Sequence, residues 1–198
     1  SETSEWIPDE SETQAVTYAE ASDFSEGFAF VKYDKASSGS GTAEEADSSE
    51  NKVVNFDQYG YINTEERVVI NPQFDFADDF SHGLARIGKQ EEGSNTIKYG
   101  YINTGGKVVV GPQFDFADDF SALGLARINI GGVPQEAHKT VKGGRYGYIN
   151  GEGEIVINPQ FVSAENFSEG LAYVKIAGTS LERGYISADY SGEFAIRL

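Results

Sequence analysis

The stretch Pro72-Gln-Phe-Asp-Phe-Ala-Asp-Asp-Phe-Ser81 recurs without change at residues 112–121. A looser copy occupies residues 159–168, and a degenerate copy occupies residues 17–25. Self-similarity of this kind is the sequence signature of a tandem repeat protein. The chain is therefore predicted to contain four units. We place their boundaries at 15–70, 71–110, 111–157 and 158–198.

The composition is that of an acidic, folded protein. Of its 198 residues, 39% are hydrophobic and 13% are aromatic, which is enough to build one sizeable core. The formal net charge of −17 repels phosphate backbones and anionic headgroups, so no nucleic acid partner is expected. No apolar run approaches the roughly 20 residues of a membrane helix, so no membrane insertion is expected.

Residues 1–14 are acidic and show no periodicity of a strand or helix, so they are predicted to form a flexible leader. The sequence contains no cysteine, which excludes disulfides and thiolate metal sites. It also lacks methionine, including an initiator. We therefore expect that residue 1 follows a removed segment, such as a signal peptide, or is an artificial start of the expressed chain.

Each unit is predicted to contain three antiparallel strands. In the first strand, as in Gly83–Ile87, small or branched apolar residues alternate with a variable position. The second strand reads Tyr-Gly-Tyr-Ile-Asn at residues 59–63. A tight turn leads to a third, β-branched strand. Proline is expected to end that strand, at Pro72, Pro112 and Pro159, because it has no N–H to donate to a ladder.

The repeated stretch is predicted to be a short helical connector between units. Phe74, Ala77 and Phe80 are spaced three apart, which would place them on one face of a helical or 3₁₀ turn. Asp75, Asp78 and Asp79 would then face water. The predicted fold is an all-β tandem repeat array of four three-stranded antiparallel units with short helical connectors, open and curved. A closed four-bladed propeller-like ring is the alternative.

Loops between the first and second strands vary most in length, and in repeat proteins such loops form the usual binding surface. They span residues 35–57, 88–97, 129–144 and 176–182. The first is of low complexity and is predicted to be mobile.

No catalytic site, metal site or cofactor is predicted. The aspartates at 75, 78 and 79 could supply calcium ligands, but Phe76 and Ala77 interrupt the alternation of a calcium loop. Whether these acidic turns bind calcium therefore stays open. His82 and His138 belong to no recognisable catalytic pattern, and no nucleophile or phosphate-binding motif occurs.

Six tyrosines are the candidate binding residues, because each pair is two apart on one face of the second strand. They are Tyr59, Tyr61, Tyr99, Tyr101, Tyr146 and Tyr148. Such a ladder could stack on sugar rings or on a peptide. Packing between repeats is the alternative, and the more frequent role of aromatic ladders.

The units resemble the bacterial WG-repeat family, also called KWG repeats. The family pairs a Trp-Gly-Tyr/Phe-Ile-Asp strand, a glycine turn and an aliphatic strand with a Phe-Ser-Glu-Gly-Leu-Ala phrase. Here these are residues 98–103, Gly105-Gly106, residues 108–110 and Phe167–Ala172. The family tryptophan is replaced by Tyr59, Tyr99, Tyr146 and Arg183.

The resemblance implies a bacterial repeat protein, extracellular or associated with the cell envelope, and no catalytic residues. The function we expect is a non-enzymatic scaffold that binds a protein or cell-envelope partner. The alternative is a carbohydrate-binding module that uses the tyrosine ladder.

Overall fold

The computed structural model describes residues 18–33, 58–94, 96–135, 140–178, 183–188 and 194–197, without the side chains of 33 and 194–197. The predicted leader at 1–14 and the low-complexity loop at 35–57 lie outside the described residues. Within the described ranges all regular structure is β-strand, which confirms the predicted all-β class, and every strand pair is antiparallel. No helix in this part of the chain could therefore span a membrane.

Fifteen strands of the described residues form three sheets. The first sheet contains β1 (Tyr18–Ala21), β2 (Phe28–Tyr33), β3 (Tyr59–Asn63) and β4 (Val68–Phe74). The second contains β5 (Phe76–Ser81), β6 (Leu84–Gln90), β7 (Ile97–Asn103) and β8 (Val108–Phe114). The third contains β9 (Phe116–Ala117), β10 (Leu125–Gln135), β11 (Thr140–Asn150), β12 (Ile155–Ala164), β13 (Leu171–Ile176), β14 (Arg183–Ala188) and β15 (Phe194–Arg197).

Four strands, and not three, make up a unit. Units 1 and 2 are the first two sheets, and unit 3 runs from β9 into β12. The long strand β12 pairs with β11 through Ile155 and Ile157 and with β13 through Ser163 and Ala164. Its last residues therefore begin unit 4, which continues through β15.

The predicted helical connectors are wrong, because the repeated stretch pairs as a strand. In unit 2 it forms β5, where Ala77 opposes Ile87 and Phe80 opposes Ala85. Asp78 and Asp79 on β5 thus oppose the single residue Arg86 on β6, which is a β-bulge. The extra residue lets Ala77 and Phe80 both face the core although they are three apart, and both are buried. A bulge therefore produces the spacing that had suggested a helix.

The prolines do not end the third strand, contrary to prediction. β4 continues through Pro72 to Phe74, and Pro72 lies in a bulge between the pairs Tyr61–Ile70 and Tyr59–Phe74. A bulge tolerates proline because the ladder is interrupted there. Opposite it lies Gly60, where a Cβ would be 2.5 Å from the Ile70 carbonyl oxygen. The glycine is therefore required by the close approach of the two strands.

The hydrophobic core lies mainly between successive units. The three largest clusters of buried residues each combine side chains of two consecutive units, 1 with 2, 2 with 3, and 3 with 4. Among the described residues no cluster joins unit 1 to unit 4, as the ring alternative would require. Each unit thus packs against the next unit along the chain.

Candidate functional site

The six candidate tyrosines do not form an exposed face. Tyr61, Tyr101 and Tyr148, which we call the inner tyrosines, are at most 1% exposed, and Tyr99 is equally buried. Tyr59 and Tyr146 are half-buried. The four buried tyrosines therefore take the packing role that the sequence left as the alternative, and ligand binding by Tyr59 and Tyr146 stays a prediction.

Each inner tyrosine connects its unit to the next. Its hydroxyl donates to a backbone carbonyl 17 residues later, and its ring packs on a phenylalanine two residues beyond that. The hydrogen bonds are Tyr61 to Asp78 at 2.8 Å, Tyr101 to Asp118 at 2.6 Å and Tyr148 to Glu165 at 2.6 Å. The ring centroids lie 4.9 Å (Tyr61–Phe80), 5.0 Å (Tyr101–Phe120) and 4.9 Å (Tyr148–Phe167) apart. We call this arrangement the tyrosine joint. Burial raises the pKa of all three hydroxyls.

Tyr59, Tyr99 and Tyr146, which we call the outer tyrosines, come first in each pair of the ladder. Tyr99 and Tyr146 pack under arginines. The Arg86 guanidinium lies 5.3 Å from the Phe76 ring centroid and 5.6 Å from that of Tyr99. It also pairs with the Asp78 carboxylate and donates to the carbonyl of Ala117 in the next unit. Burial raises the pKa of Tyr99 to about 12, against the opposing effect of the arginine charge.

Arg127 repeats this geometry one unit further along. It lies 5.2 Å from the Phe116 ring centroid and 5.3 Å from that of Tyr146. Its Nε donates to Asp118 at 2.7 Å, and its Nη1 donates to the carbonyl oxygen of Ala164. An arginine in this position combines cation–π contact, an ion pair and an inter-unit hydrogen bond. We call it the arginine joint.

Most aspartates of the repeated stretch are bound within the protein, contrary to the expectation that they face water. Asp115 is 6% exposed and accepts bonds from Lys98 Nζ and the Gly131 N–H, both at 2.6 Å. Asp75 accepts the Gln90 N–H at 2.8 Å. Within the described residues, no group of three or more histidines and carboxylates is placed to hold a metal ion.

Within the predicted loop at 129–144, the described residues 129–135 and 140–144 instead extend a β-hairpin. Pairing of β10 with β11 continues from Leu125–Asn150 to Gln135–Thr140. We call residues 130–135 and 140–145 the hairpin arm. Gly131 and Gly144 adopt φ values of 80° and 68°, which favour glycine.

The hairpin arm exposes apolar and cationic side chains. Val133 is 63% exposed and Ile130 is 42% exposed. Lys142 and Arg145 are also exposed, on a chain whose formal net charge is −17. The arm thus differs in charge from the rest of the protein.

The sequences of the four units match a known family of repeats. A family model described as a WG containing repeat matches residues 16–35, 59–91, 99–133 and 146–179, which is more than half of the chain. The chain belongs to the WG repeat family. No curated protein and no solved structure gives a significant match.

The resemblance places the family tryptophan of this WG repeat protein at Tyr59, Tyr99, Tyr146 and Arg183, and the three tyrosines are the outer residues of the ladder. Two of them, Tyr99 and Tyr146, stack under the joint arginines.

Sequence reasoning missed the two arginines. It treated Arg86 and Arg127 as the freely variable position of a half-exposed strand. One signal was available: in units 2 and 3 the arginine follows an aspartate by eight or nine residues, and the two side chains form a pair. Units 1 and 4 have Phe30 and Tyr173 in place of the arginine.

Proposed function

We propose that this WG repeat protein is a non-catalytic scaffold that binds a protein or cell-envelope partner through its hairpin arm. The observation that carries the proposal is that the arm continues paired strands beyond the sheet while exposing Val133 and Ile130. Exposed apolar side chains next to polar ones are typical of interaction surfaces.

The arm also offers backbone groups for recognition. Residues 130–135 pair only with β11, and residues 140–145 pair only with β10, among the described residues. Apart from the Gly131 N–H, which Asp115 binds, and the Gly143 carbonyl, which Asn129 Nδ2 binds, the outer edges of the arm therefore have no strand partner among the described residues. An open strand edge can bind an extended segment of a partner by β-augmentation.

The charge of the arm favours an acidic partner surface. Lys142 and Arg145 are exposed, and no ion pair of either is found in the described part of the chain. Exposed charges at the rim of an interface act mainly on association rate and salt dependence. Binding through the arm should therefore weaken as the salt concentration rises.

The non-catalytic part of the proposal rests on the roles of the polar residues. Asp75, Asp78, Asp115 and Asp118 are occupied by bonds within the fold. The inner tyrosine hydroxyls are likewise bound to backbone carbonyls. Groups used in this way support the array and leave little chemistry for a substrate.

The test removes the arm at a position where the strands are already paired. Ile130 and Arg145 are Cα partners, so residues 131–144 can be replaced by Asn-Gly, which suits a two-residue hairpin turn. The variant should keep its melting temperature and lose capture of a partner from cell-envelope extract. Val133→Ser should weaken capture, whereas Val162→Ser, at a site 39% exposed on β12, should not. Capture that is unchanged without the arm would refute the proposal.

The carbohydrate-binding alternative gains no support from the ladder, because its inner rings are buried. Tyr101→Ala and Tyr148→Ala would each remove a tyrosine joint. Glycan binding lost in such variants would therefore report a damaged fold and not a binding site.

A further inference from the structure

The contact between units 1 and 2 shows what one unit offers to the next. The rings of Tyr61 and Phe28 each lie 4.9 Å from that of Phe80. Ser25 Oγ donates to the Phe80 carbonyl oxygen at 2.7 Å. Unit 1 thus surrounds the Phe80 side chain with apolar groups and binds its backbone.

A turn-to-turn contact completes this joint. The Glu26 carboxylate accepts the backbone N–H groups of His82 and Gly83, both at 2.8 Å. His82 and Gly83 have positive φ values of 54° and 77°, as in a two-residue hairpin turn of type I′. This conformation presents both N–H groups to a single carboxylate.

Unit 4 carries the same kind of surface that unit 1 offers to unit 2, but on unit 4 this surface is exposed. The residues that correspond to Ser25, Glu26, Phe28 and Tyr61 are Ser168, Glu169, Leu171 and Tyr185. Glu169 has the φ value of 51° that Glu26 has, so the local backbone is already in place. Tyr185 is 52% exposed, against 0% for Tyr61, and Leu171 is 41% exposed, against 8% for Leu84 in unit 2.

Unit 1 carries the surface that fits this one, namely the counterpart of Phe80 and its turn, and this surface is exposed as well. Phe24 corresponds to Phe80, Phe120 and Phe167, which are 1%, 5% and 6% exposed, yet Phe24 is 49% exposed. The turn beside it, Glu26-Gly27, has φ values of 51° and 85°, close to those of His82-Gly83. The first unit thus presents the phenylalanine and the turn that a preceding unit would bind.

We propose that two copies of this chain associate head to tail, with unit 4 of one copy binding unit 1 of the other as successive units bind within the chain. Phe24 of one copy packs on Tyr185 and Leu171 of the other. The Glu169 carboxylate accepts the N–H groups of Glu26 and Gly27. This surface is separate from the hairpin arm, and the inference goes beyond the proposed function.

Continuity with the internal interface is the argument for a second copy as the occupant. The tyrosine joint occurs three times within the chain, and its two halves remain exposed at opposite ends of the array. The two halves are different surfaces, so the contact is heterologous and each copy can bind one neighbour at each end. Association should therefore produce species longer than a dimer.

Charge opposes this association. Each copy has a formal net charge of −17, so copies repel one another at low ionic strength. Salt screens this repulsion and leaves the apolar contact in place. Head-to-tail association should therefore increase with salt concentration, which is the opposite of the trend expected for the hairpin arm.

Sedimentation velocity over a range of protein and salt concentrations tests the proposal. The wild type should form dimers and longer species, whereas Phe24→Ala and Tyr185→Ala should each weaken association roughly 10- to 100-fold, the effect of losing a large buried apolar side chain. Both side chains are about half exposed, so melting temperatures should not change. Val108→Ala, at a site 48% exposed on β8, is the matched control and should associate like the wild type.

Mixing the two variants gives the sharper result. The Phe24→Ala copy keeps an intact unit 4, and the Tyr185→Ala copy keeps an intact unit 1, so the mixture should form dimers and nothing longer. A wild type that stays monomeric at high concentration and high salt would overturn the proposal. So would a Phe24→Ala or Tyr185→Ala variant that associates as the wild type does.

The lack of native cysteine allows a direct check of the contact. A double variant with Asp23→Cys and Arg183→Cys, two exposed residues near Phe24 and Tyr185, leaves the contact in place and, treated with a short bifunctional maleimide, should cross-link copies to one another. Cross-linking only within single copies would instead show closure of a ring and would overturn the proposal.

Discussion

The hydroxyl of Tyr101, in β7 of unit 2, donates a 2.6 Å hydrogen bond to the backbone carbonyl of Asp118 in unit 3. The Tyr101 ring also packs on Phe120, with the centroids 5.0 Å apart. One side chain thus links two units through both a polar and an apolar contact. Because unit 2 and unit 3 share a core, this contact sets how the two sheets pack together.

Removing only the hydroxyl of Tyr101 should be costly, because it leaves the Asp118 carbonyl oxygen without its donor. We expect Tyr101→Phe to lower the free energy of unfolding by about 1–2 kcal/mol. Tyr101→Ala also creates a cavity and should cost about 3–5 kcal/mol. Urea unfolding measures both. Tyr185→Phe in dilute solution, at a half-exposed position, is the control and should change stability by less than about 0.5 kcal/mol.

Alkaline pH should unfold the protein cooperatively. Burial raises the pKa of Tyr61, Tyr101 and Tyr148 above the ordinary value of 10.0, so the folded state disfavours their ionised forms. Their contribution is complete below about pH 10 and is lost as the pH rises above it, by roughly 1.4 kcal/mol per pH unit for each tyrosine.

Tyrosinate absorbance and circular dichroism, followed together, check this expectation. The inner tyrosines should ionise only as the fold is lost. Full ionisation of all tyrosines with the circular dichroism of the native state intact would contradict it.

Lysine should not replace the joint arginines. Arg127 binds Asp118 and the Ala164 carbonyl at once while it lies near two rings, and a lysine ammonium cannot reproduce this planar fork. We expect Arg127→Lys to cost about 1–3 kcal/mol in thermal or chemical unfolding. Arg67, whose side chain is 78% exposed in its pair with Glu65, is the matched site. Arg67→Lys should be nearly neutral, and equal effects at both positions would argue against the joint.

Two glycines should differ sharply in their tolerance of alanine. A Cβ at Gly60 would lie 2.5 Å from the Ile70 carbonyl oxygen and 2.7 Å from the Pro72 nitrogen, so the paired strands would have to separate. We expect Gly60→Ala to destabilise by more than about 3 kcal/mol or to prevent folding. At Gly111 nothing lies within 4 Å of the added carbon, and Gly111→Ala should be neutral or stabilise by up to about 1 kcal/mol. Melting temperatures of the two variants, compared with wild type, decide the matter.

Much of the fold was predictable from residue patterns. The two identical copies of Pro72–Ser81 revealed the repeat, and alternation at Ala85 and Ile87 identified a strand that the structure confirms as β6, although β6 is buried on both faces and not on one. The glycine-containing turns after Asn103 and Asn150 were also correctly predicted. These features depend on local periodicity, which a sequence displays directly.

The connectors were mispredicted because a β-bulge imitates helical spacing. Ala77 and Phe80 are three apart in either structure, and only the pairing of β5 with β6 distinguishes them. The same applies to Pro72, whose position in a bulge depends on the partner strand. Strand pairing is a non-local property, so local spacing could not reveal it.

The sequence by itself determined that this protein is an acidic, all-β array of four repeats in the WG family. The tertiary structure alone decided that Tyr61, Tyr101 and Tyr148 are buried joints between units, and that residues 129–135 and 140–144 extend a hairpin. It also showed that Phe24 and Tyr185 are exposed counterparts of those joints. The physical reason is that a repeated motif specifies equal side chains in every unit, whereas burial depends on whether a neighbouring unit covers them.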